Sequence, residues 1–141
     1  IGEGDMRKYL EDNISHNNLE DRIKLLGKIP NTLIPSYLSM ADLYLNYSLY
    51  EGFPLSVLEA QANGIPCFIS STITEEVLFN QNTKRLQLNR DVWVEAIKNE
   101  AKNLTRSSLQ EIQTNVLSNE LGEKNTVLSL YEIYNYLINK A

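Results

Sequence analysis

The stretch LYEGFPLSVLEAQANGIP, Leu49 to Pro66, decides how this chain is read, because it sets two glutamates, Glu51 and Glu59, on either side of a Gly-Phe-Pro turn. On one continuous helix the two carboxylates would stand about 80° apart and about 12 Å along the axis, as unrelated surface charges. Pro54 rules that arrangement out. A ring with fixed φ and no N–H is tolerated at the first helical position and disruptive further in, so a helix is predicted from Pro54 to Asn63, stopped by Gly64. Glu51 then belongs to the entry loop and Glu59 lies about one and a half turns inside the helix.

The flanks of this stretch read as strands. Upstream, ADLYLNYS places Leu43 and Leu45 on one face and Tyr44 and Asn46 on the other, and downstream PCFIS is a short apolar run of the kind buried in a parallel sheet. Further out, RIKLLGKIP predicts a strand over Ile23–Leu26, and Pro35 limits a helix to Pro35–Met40. Asp5 is the expected cap of a helix over Met6–Asn13 carrying Met6, Tyr9 and Leu10 on one side, and STITEEVLFN allows a single helical turn at Glu75–Phe79. KRLQLN reads as a short strand. Beyond it, Trp93, Ala96, Ile97, Ala101 and Leu104 recur at helical spacing with Asp91 as the expected cap, and a further helix covers Ser108–Val116. A last amphipathic helix carries Val127, Leu130, Ile133, Tyr134, Leu137 and Ile138 on one stripe. Strands alternating with helices give an α/β class: a Rossmann-like, doubly wound parallel sheet with helices on both faces.

Composition bounds the function. The 141 residues are 43% hydrophobic and 22% charged, enough for one domain with a buried core, and 13 basic against 18 acidic residues leave a net charge of −5. With no Lys/Arg cluster interleaved with aromatics, a nucleic-acid role is not expected. Cys67 is the single cysteine and lies in an apolar run, where it reads as a small buried hydrophobe; an internal disulfide is impossible. His16, the single histidine, stands in the polar run NISHNNLED and reads as a solvated loop residue without a role. No His/Cys/Asp/Glu grouping has metal-ligand spacing, and Tyr131, Tyr134 and Tyr136 read as core and surface of the last helix. The sequons at Asn46 and Asn103 are short enough to arise by chance. No run reaches membrane-spanning length and the N-terminus lacks a signal-peptide layout, so a cytoplasmic protein is expected. The chain opens at Ile1-Gly2 without an initiator methionine and is expected to be a piece of something longer.

Chemistry is expected where the strand of Tyr44 delivers its carboxyl end into SLYEGFPLS, since ligands of open α/β sheets bind outside the carboxyl ends of the strands. Phe53 falls at the N-cap by position and offers no side-chain acceptor, which leaves the amides of Leu55 and Ser56 open to an anion, and Gly52 permits close backbone approach. From the residues alone, Glu51 could equally complement the helix dipole and Glu59 be a solvated face residue.

YEGFPLSVLEAQANGIP, preceded by ADLYLNYS and LLGKIP, resembles the donor-binding domain of glycosyltransferase family 4, retaining enzymes of the two-Rossmann GT-B architecture. The family's Glu, seven residues, Glu signature falls on Glu51 and Glu59, and the likeness spans Gly2 to about Ile73. It implies that residues 1–141 are a donor-binding, Rossmann-like domain, the C-terminal half of a GT-B enzyme, shortened at its N-terminus and without the acceptor domain. It further implies a nucleotide-diphosphate sugar, with UDP as carrier, whose ribose is held by Glu59. Sugar hydroxyls would be met by the catalytic Glu51 and the backbone from Gly52 through Phe53 and Pro54 to Leu55, with the diphosphate at the helix start beside Ser56. Gly27, Lys28 and Ile29 correspond to the nucleobase region. No cofactor or metal is implied. The acceptor would be a glycan or lipid-linked species, as in bacterial surface or capsular polysaccharide synthesis, and the full-length protein could sit at the inner face of the membrane. The family's basic diphosphate residues precede anything present here, which keeps a non-catalytic nucleotide-sugar-binding or partner-docking module as the alternative. A nucleotide-sugar epimerase would fit the fold but not the Glu51/Glu59 spacing.

Overall fold

Three short parallel strands carry the computed structural model, which describes residues 1–118 with Glu132, Asn135 and Tyr136. They are β1 (Tyr44–Asn46), β2 (Cys67–Ser70) and β3 (Thr83–Leu86), hydrogen-bonded in that order. Tyr44 pairs with Cys67 and Asn46 with Ile69, while Cys67 pairs with Thr83 and Ser70 with Leu86. All four residues of the central strand are buried, as a strand covered on both faces requires.

Register sorts the sheet into two faces. Paired residues share a face, so Leu45, Phe68 and Lys84 stand on one side with Ser70 and Leu86, and Tyr44, Asn46, Cys67 and Ile69 on the other. Trp93 and Ala96 of α4 (Arg90–Asn99) form a buried cluster with Phe68 and Leu86, with Leu43 and Leu104 packed against it, and the Tyr47 ring meets Trp93 edge-on at 4.9 Å. The opposite face receives α3 (Leu55–Ala62), whose Ser56 hydrogen-bonds the Tyr44 side chain. The expected α/β architecture, a parallel sheet with helices on both faces, is therefore present.

The chain divides into two compact units, Ile1–Ile34 and the residues from Pro35 on. In the first, α1 (Arg7–His16) begins at Met6 without any side-chain cap, so the expected capping role of Asp5 is corrected: Arg7 N–H instead donates to the Gly4 carbonyl at 3.1 Å. His16 closes this helix rather than lying in a loop. The expected strand at Ile23–Leu26 does not form. A strand needs a laddered neighbour; here the segment receives an Arg7 side-chain bond to the Leu25 carbonyl, and next to it a single backbone bond joins Gly2 N–H to the Gly27 carbonyl at 2.8 Å.

In the second unit, α2 (Ile34–Met40) and the 3-10 turn Glu75–Val77 fall where the sequence puts them. The cap of α4 is Asn89, not Asp91: its side-chain oxygen accepts from the amides of Asp91 and Val92 at 2.9 and 3.3 Å, leaving Asp91 in the first turn. α5 (Leu109–Ser118) opens on a reciprocal capping box between Ser108 and Glu111, with Ser108 N–H donating to the Glu111 carboxylate at 2.6 Å and Glu111 N–H to the Ser108 hydroxyl at 3.3 Å. The apolar stripe expected on the last helix, Val127, Leu130, Ile133, Tyr134, Leu137 and Ile138, lies outside the described residues, as does Tyr131, while Glu132, Asn135 and Tyr136 are helical.

Candidate functional site

Pro54 is the N-cap of α3, with φ −76° and ψ 99°, so the helix starts one residue later than the sequence implies and Phe53 stands one residue outside it. The correction has a simple cause: a β-region ψ at Pro54 leaves its carbonyl as the first intrahelical acceptor, taking the amides of Val57 at 3.0 Å and Leu58 at 3.4 Å. Among the described residues nothing accepts from the amides of Leu55 and Ser56, and both residues are exposed. Phe53 is half exposed, at 49%. Gly52 faces open space, with nothing within 4 Å of where a Cβ would stand.

Each glutamate is half-buried and belongs to its own polar cluster. The Ser48 hydroxyl donates to Glu51 Oε1 at 2.7 Å. Ser48 is itself fixed on both sides: its N–H donates to Asn46 Oδ1 at 3.1 Å, and its carbonyl accepts from the Thr72 hydroxyl at 3.0 Å. Thr72 is seated in turn on the buried Ser70, hydroxyl to hydroxyl at 2.8 Å and amide to hydroxyl at 3.2 Å. Glu59 lies one helical turn from Ser56 and acts on the Tyr44 hydroxyl. Burial pushes the Tyr44 phenol up; hydrogen bonds from Ser56 and Asn46 partly offset this, and the charge of Glu59 adds to it. Burial likewise raises the Glu59 carboxyl above its ordinary value. Asn46 joins the clusters, since it serves Ser48 on one side and Tyr44 on the other. The carboxyl end of β1 and the entry of α3 thus hold two acidic groups on one polar framework.

Gly27, Lys28 and Ile29 belong to the first unit, where Gly27 is buried and Lys28 exposed. A cavity of about 370 Å³ in that unit is lined by residues including Gly2, Arg7, Leu10 and Lys24, and contains none of the β1–α3 residues. Cys67 is fully buried, its thiol pushed up to about 12 by burial, and its S–H points at the Ile65 carbonyl, so it is packing rather than chemistry.

Ser48, Thr72, Ser70, Asn46 and Tyr44 are the members that reading the sequence missed. Asn46 and Ser48 stood in plain view as a sequon. Thr72, 24 residues from Ser48, has no local signal; only the parallel register, which sets Asn46 beside Ile69, carries the ends of β1 and β2 together.

An α/β unit with polar, carboxylate-bearing groups at the end of a strand defines a broad class, and comparison narrows it. Residues 1–113 match the model of the family described as glycosyl transferases group 1, and the chain belongs to that family. It is 39% identical over 72 residues to the UDP-Gal:alpha-D-GlcNAc-diphosphoundecaprenol alpha-1,3-galactosyltransferase of Escherichia coli, a match covering 50% of this chain and 18% of that protein. It is 40% identical over 72 residues to the amylovoran biosynthesis glycosyltransferase AmsK of Erwinia amylovora, covering 47% and 18%. Protein CapJ of Staphylococcus aureus is 27% identical over 128 residues, covering 80% and 32%. The matched stretches thus span between 18% and 32% of these relatives' lengths. Among the described residues no helix is long and apolar enough to cross a membrane.

Proposed function

We propose that this chain is the C-terminal, donor-binding half of a GT-B glycosyltransferase of family 4. The full-length enzyme would transfer a sugar, with retention, from a UDP-sugar to a glycan or lipid-linked acceptor. One observation carries the reading: two half-buried carboxylates, Glu51 and Glu59, flank the open amides of Leu55 and Ser56 at the carboxyl end of β1. In this reading Glu59 holds the ribose, because a carboxylate offers two acceptors to vicinal hydroxyls. The diphosphate lies at the α3 start, where unpartnered amides and the helix dipole favour an anion. Glu51 cannot serve the phosphate, since like charges repel, and therefore addresses the neutral hydroxyls of the sugar beyond it. Positive potential then sits where the leaving diphosphate gains charge as the glycosidic bond breaks, which favours the transition state over the ground state. Gly27, Lys28 and Ile29 serve the nucleobase. The acceptor is held by a domain outside this chain, in synthesis of a surface polysaccharide on the cytoplasmic side of a membrane, and no metal or cofactor is needed.

The test separates the two carboxylates in the full-length enzyme. Glu51→Ala is expected to cut transfer severely while UDP affinity stays nearly intact. Glu59→Gln is expected to weaken UDP by roughly tenfold or more, the scale of a charge-assisted hydrogen bond, and to leave 2′,3′-dideoxy-UDP unaffected. Equal loss of UDP affinity in both variants would refute the division of labour, and unchanged transfer in both would refute the reading as a whole.

A further inference from the structure

A carboxylate in a surface loop sweeps through many rotamers, and one that must meet a particular hydroxyl has to be held. Glu51 is held by a short relay that runs into the sheet. Ser48 gives its hydroxyl to Glu51 Oε1 at 2.7 Å, and its own amide and carbonyl are both taken, by Asn46 Oδ1 and by the Thr72 hydroxyl. Thr72 rests on Ser70, which is fully buried at the end of the central strand. A serine bonded to a glutamate three residues on could be a purely local turn; this one is tied to Thr72, 24 positions away in the turn that follows β2, so the carboxylate is referenced to the end of β2 rather than to its own loop alone. Among the described residues no partner meets Glu51 Oε2.

We propose that Ser48 is the positioning residue for Glu51, fixing one carboxylate oxygen against the strand framework through Thr72 and leaving the other for the donor sugar. The inference rests on the reading of this site as a donor site. Ser48 touches no substrate; it acts through Glu51. Its loss therefore acts on turnover and not on nucleotide affinity, which separates it from a residue that merely supports the fold.

The experiment uses the full-length enzyme with UDP-glucose, UDP-galactose, UDP-N-acetylglucosamine and GDP-mannose, following release of the nucleoside diphosphate with the donor that turns over best. Ser48→Ala is expected to lower kcat roughly tenfold to a hundredfold, as the loss of one hydrogen bond to a charged group would, with UDP affinity within about twofold of wild type. Ser48→Thr keeps the hydroxyl and is expected to restore most of kcat, while Thr72→Val, one step further from Glu51, lowers it less than Ser48→Ala. Wild-type kcat in Ser48→Ala, alongside a Glu51→Ala variant that has lost transfer, would overturn the inference and leave the donor-site reading standing. A parallel fall of kcat and UDP affinity, or no recovery with threonine, would overturn it in favour of a general structural role. Full transfer by Glu51→Ala, or no donor turned over by the wild type, would overturn the donor-site reading and the inference with it.

Discussion

Replacing Gly64 by alanine should destabilise the protein by a margin that can be worked out from its surroundings. Gly64 ends α3 with φ +78°, its N–H donating to the Gln61 carbonyl at 2.9 Å while Ile65 N–H reaches back to Ala60 at 3.2 Å, the paired bonds of a Schellman termination. A side chain in that left-handed conformation costs about 1–2 kcal/mol on its own. Space adds to the penalty, because a Cβ at this position would stand 2.6 Å from the Ser107 carbonyl oxygen and 3.2 Å from Ile112 Cδ1. Ser107 cannot retreat freely: its N–H is bonded to the Gly64 carbonyl at 2.9 Å, so moving it away forfeits a hydrogen bond worth about 0.5–1.5 kcal/mol net. The sum is about 1.5–3.5 kcal/mol, against a total stability on the order of 5–15 kcal/mol for a domain. Urea unfolding followed by circular dichroism would show this as a midpoint lower by about 1 M or more at unchanged slope. Gly64→Asn separates the two terms, since asparagine tolerates the left-handed region but still brings a Cβ. Both variants are expected to lose stability. An alanine variant within about 0.5 kcal/mol of wild type would refute the reasoning outright, whereas recovery by asparagine alone would assign the penalty to the dihedral and not to the contact with Ser107.

Glu59→Gln is expected to stabilise the free protein at neutral pH: burial raises the folded-state pKa, so the folded form bears a desolvation cost once the carboxyl ionises, and that cost vanishes below its ordinary value of 4.5. Because the group keeps much of its contact with water, the gain is small, about a degree or two in Tm near pH 7, closing by about pH 4; a gap that persists at pH 3, or one of opposite sign at pH 7, would contradict it. Arg106→Lys is expected to lose about 2–4 kcal/mol in urea unfolding despite keeping the charge, because one ammonium cannot replace a planar fork. That fork donates to the Asn63 carbonyl and side chain at 3.1 and 2.9 Å and to the carbonyls of Leu38, Ser39 and Ala41 at 2.9, 2.8 and 2.5 Å. A lysine variant as stable as wild type would mean that charge alone matters there.

What was legible in the sequence was what the backbone itself enforces. Pro54 and Gly64 bound α3 within a residue because proline fixes φ at the helix start and glycine freely takes the left-handed φ that ends it, and the alternation of Leu43 and Leu45 with Tyr44 and Asn46 gave the two faces of β1 directly. Caps were legible only as candidates. Asp5 and Asp91 were each chemically able to cap, yet Met6 and Asn89 occupy those positions, since the helix start is set by the chain's approach as much as by its side chains. Ile23–Leu26 had the composition of a strand and lacked a ladder, which composition cannot reveal. The candidate site divides in the same way. Glu51 and Glu59 were visible through their spacing around a proline, whereas Ser70 and Thr72 came into it only through register between two strands more than twenty residues apart, a relation no local pattern encodes.

The two ends of α3 are built to opposite specifications, and that asymmetry bears on function. At its C-terminal end, Gln61 is wholly buried, its side chain donating to the Val77 carbonyl and accepting from the amides of Phe79 and Asn80, while its own carbonyl takes Gly64 N–H and the Asn80 side chain. The Asn63 carbonyl goes to Arg106, and the Gly64 carbonyl to Ser107 and Asn82. At its N-terminal end Pro54 supplies no side-chain acceptor, and the amides of Leu55 and Ser56 meet none among the described residues. A serine, threonine or aspartate cap there would contribute about 1 kcal/mol, and the chain forgoes it. Saturating the far end anchors the helix, so that the near end presents its amides and Glu59 in one orientation without needing to close on itself. On the proposed donor-site reading, such preorganisation would lower the ordering cost of binding and keep donors aimed at where charge develops. A helix serving the fold alone would gain from a cap at both ends; one that must receive an anion gains from leaving one end open and fastening the other.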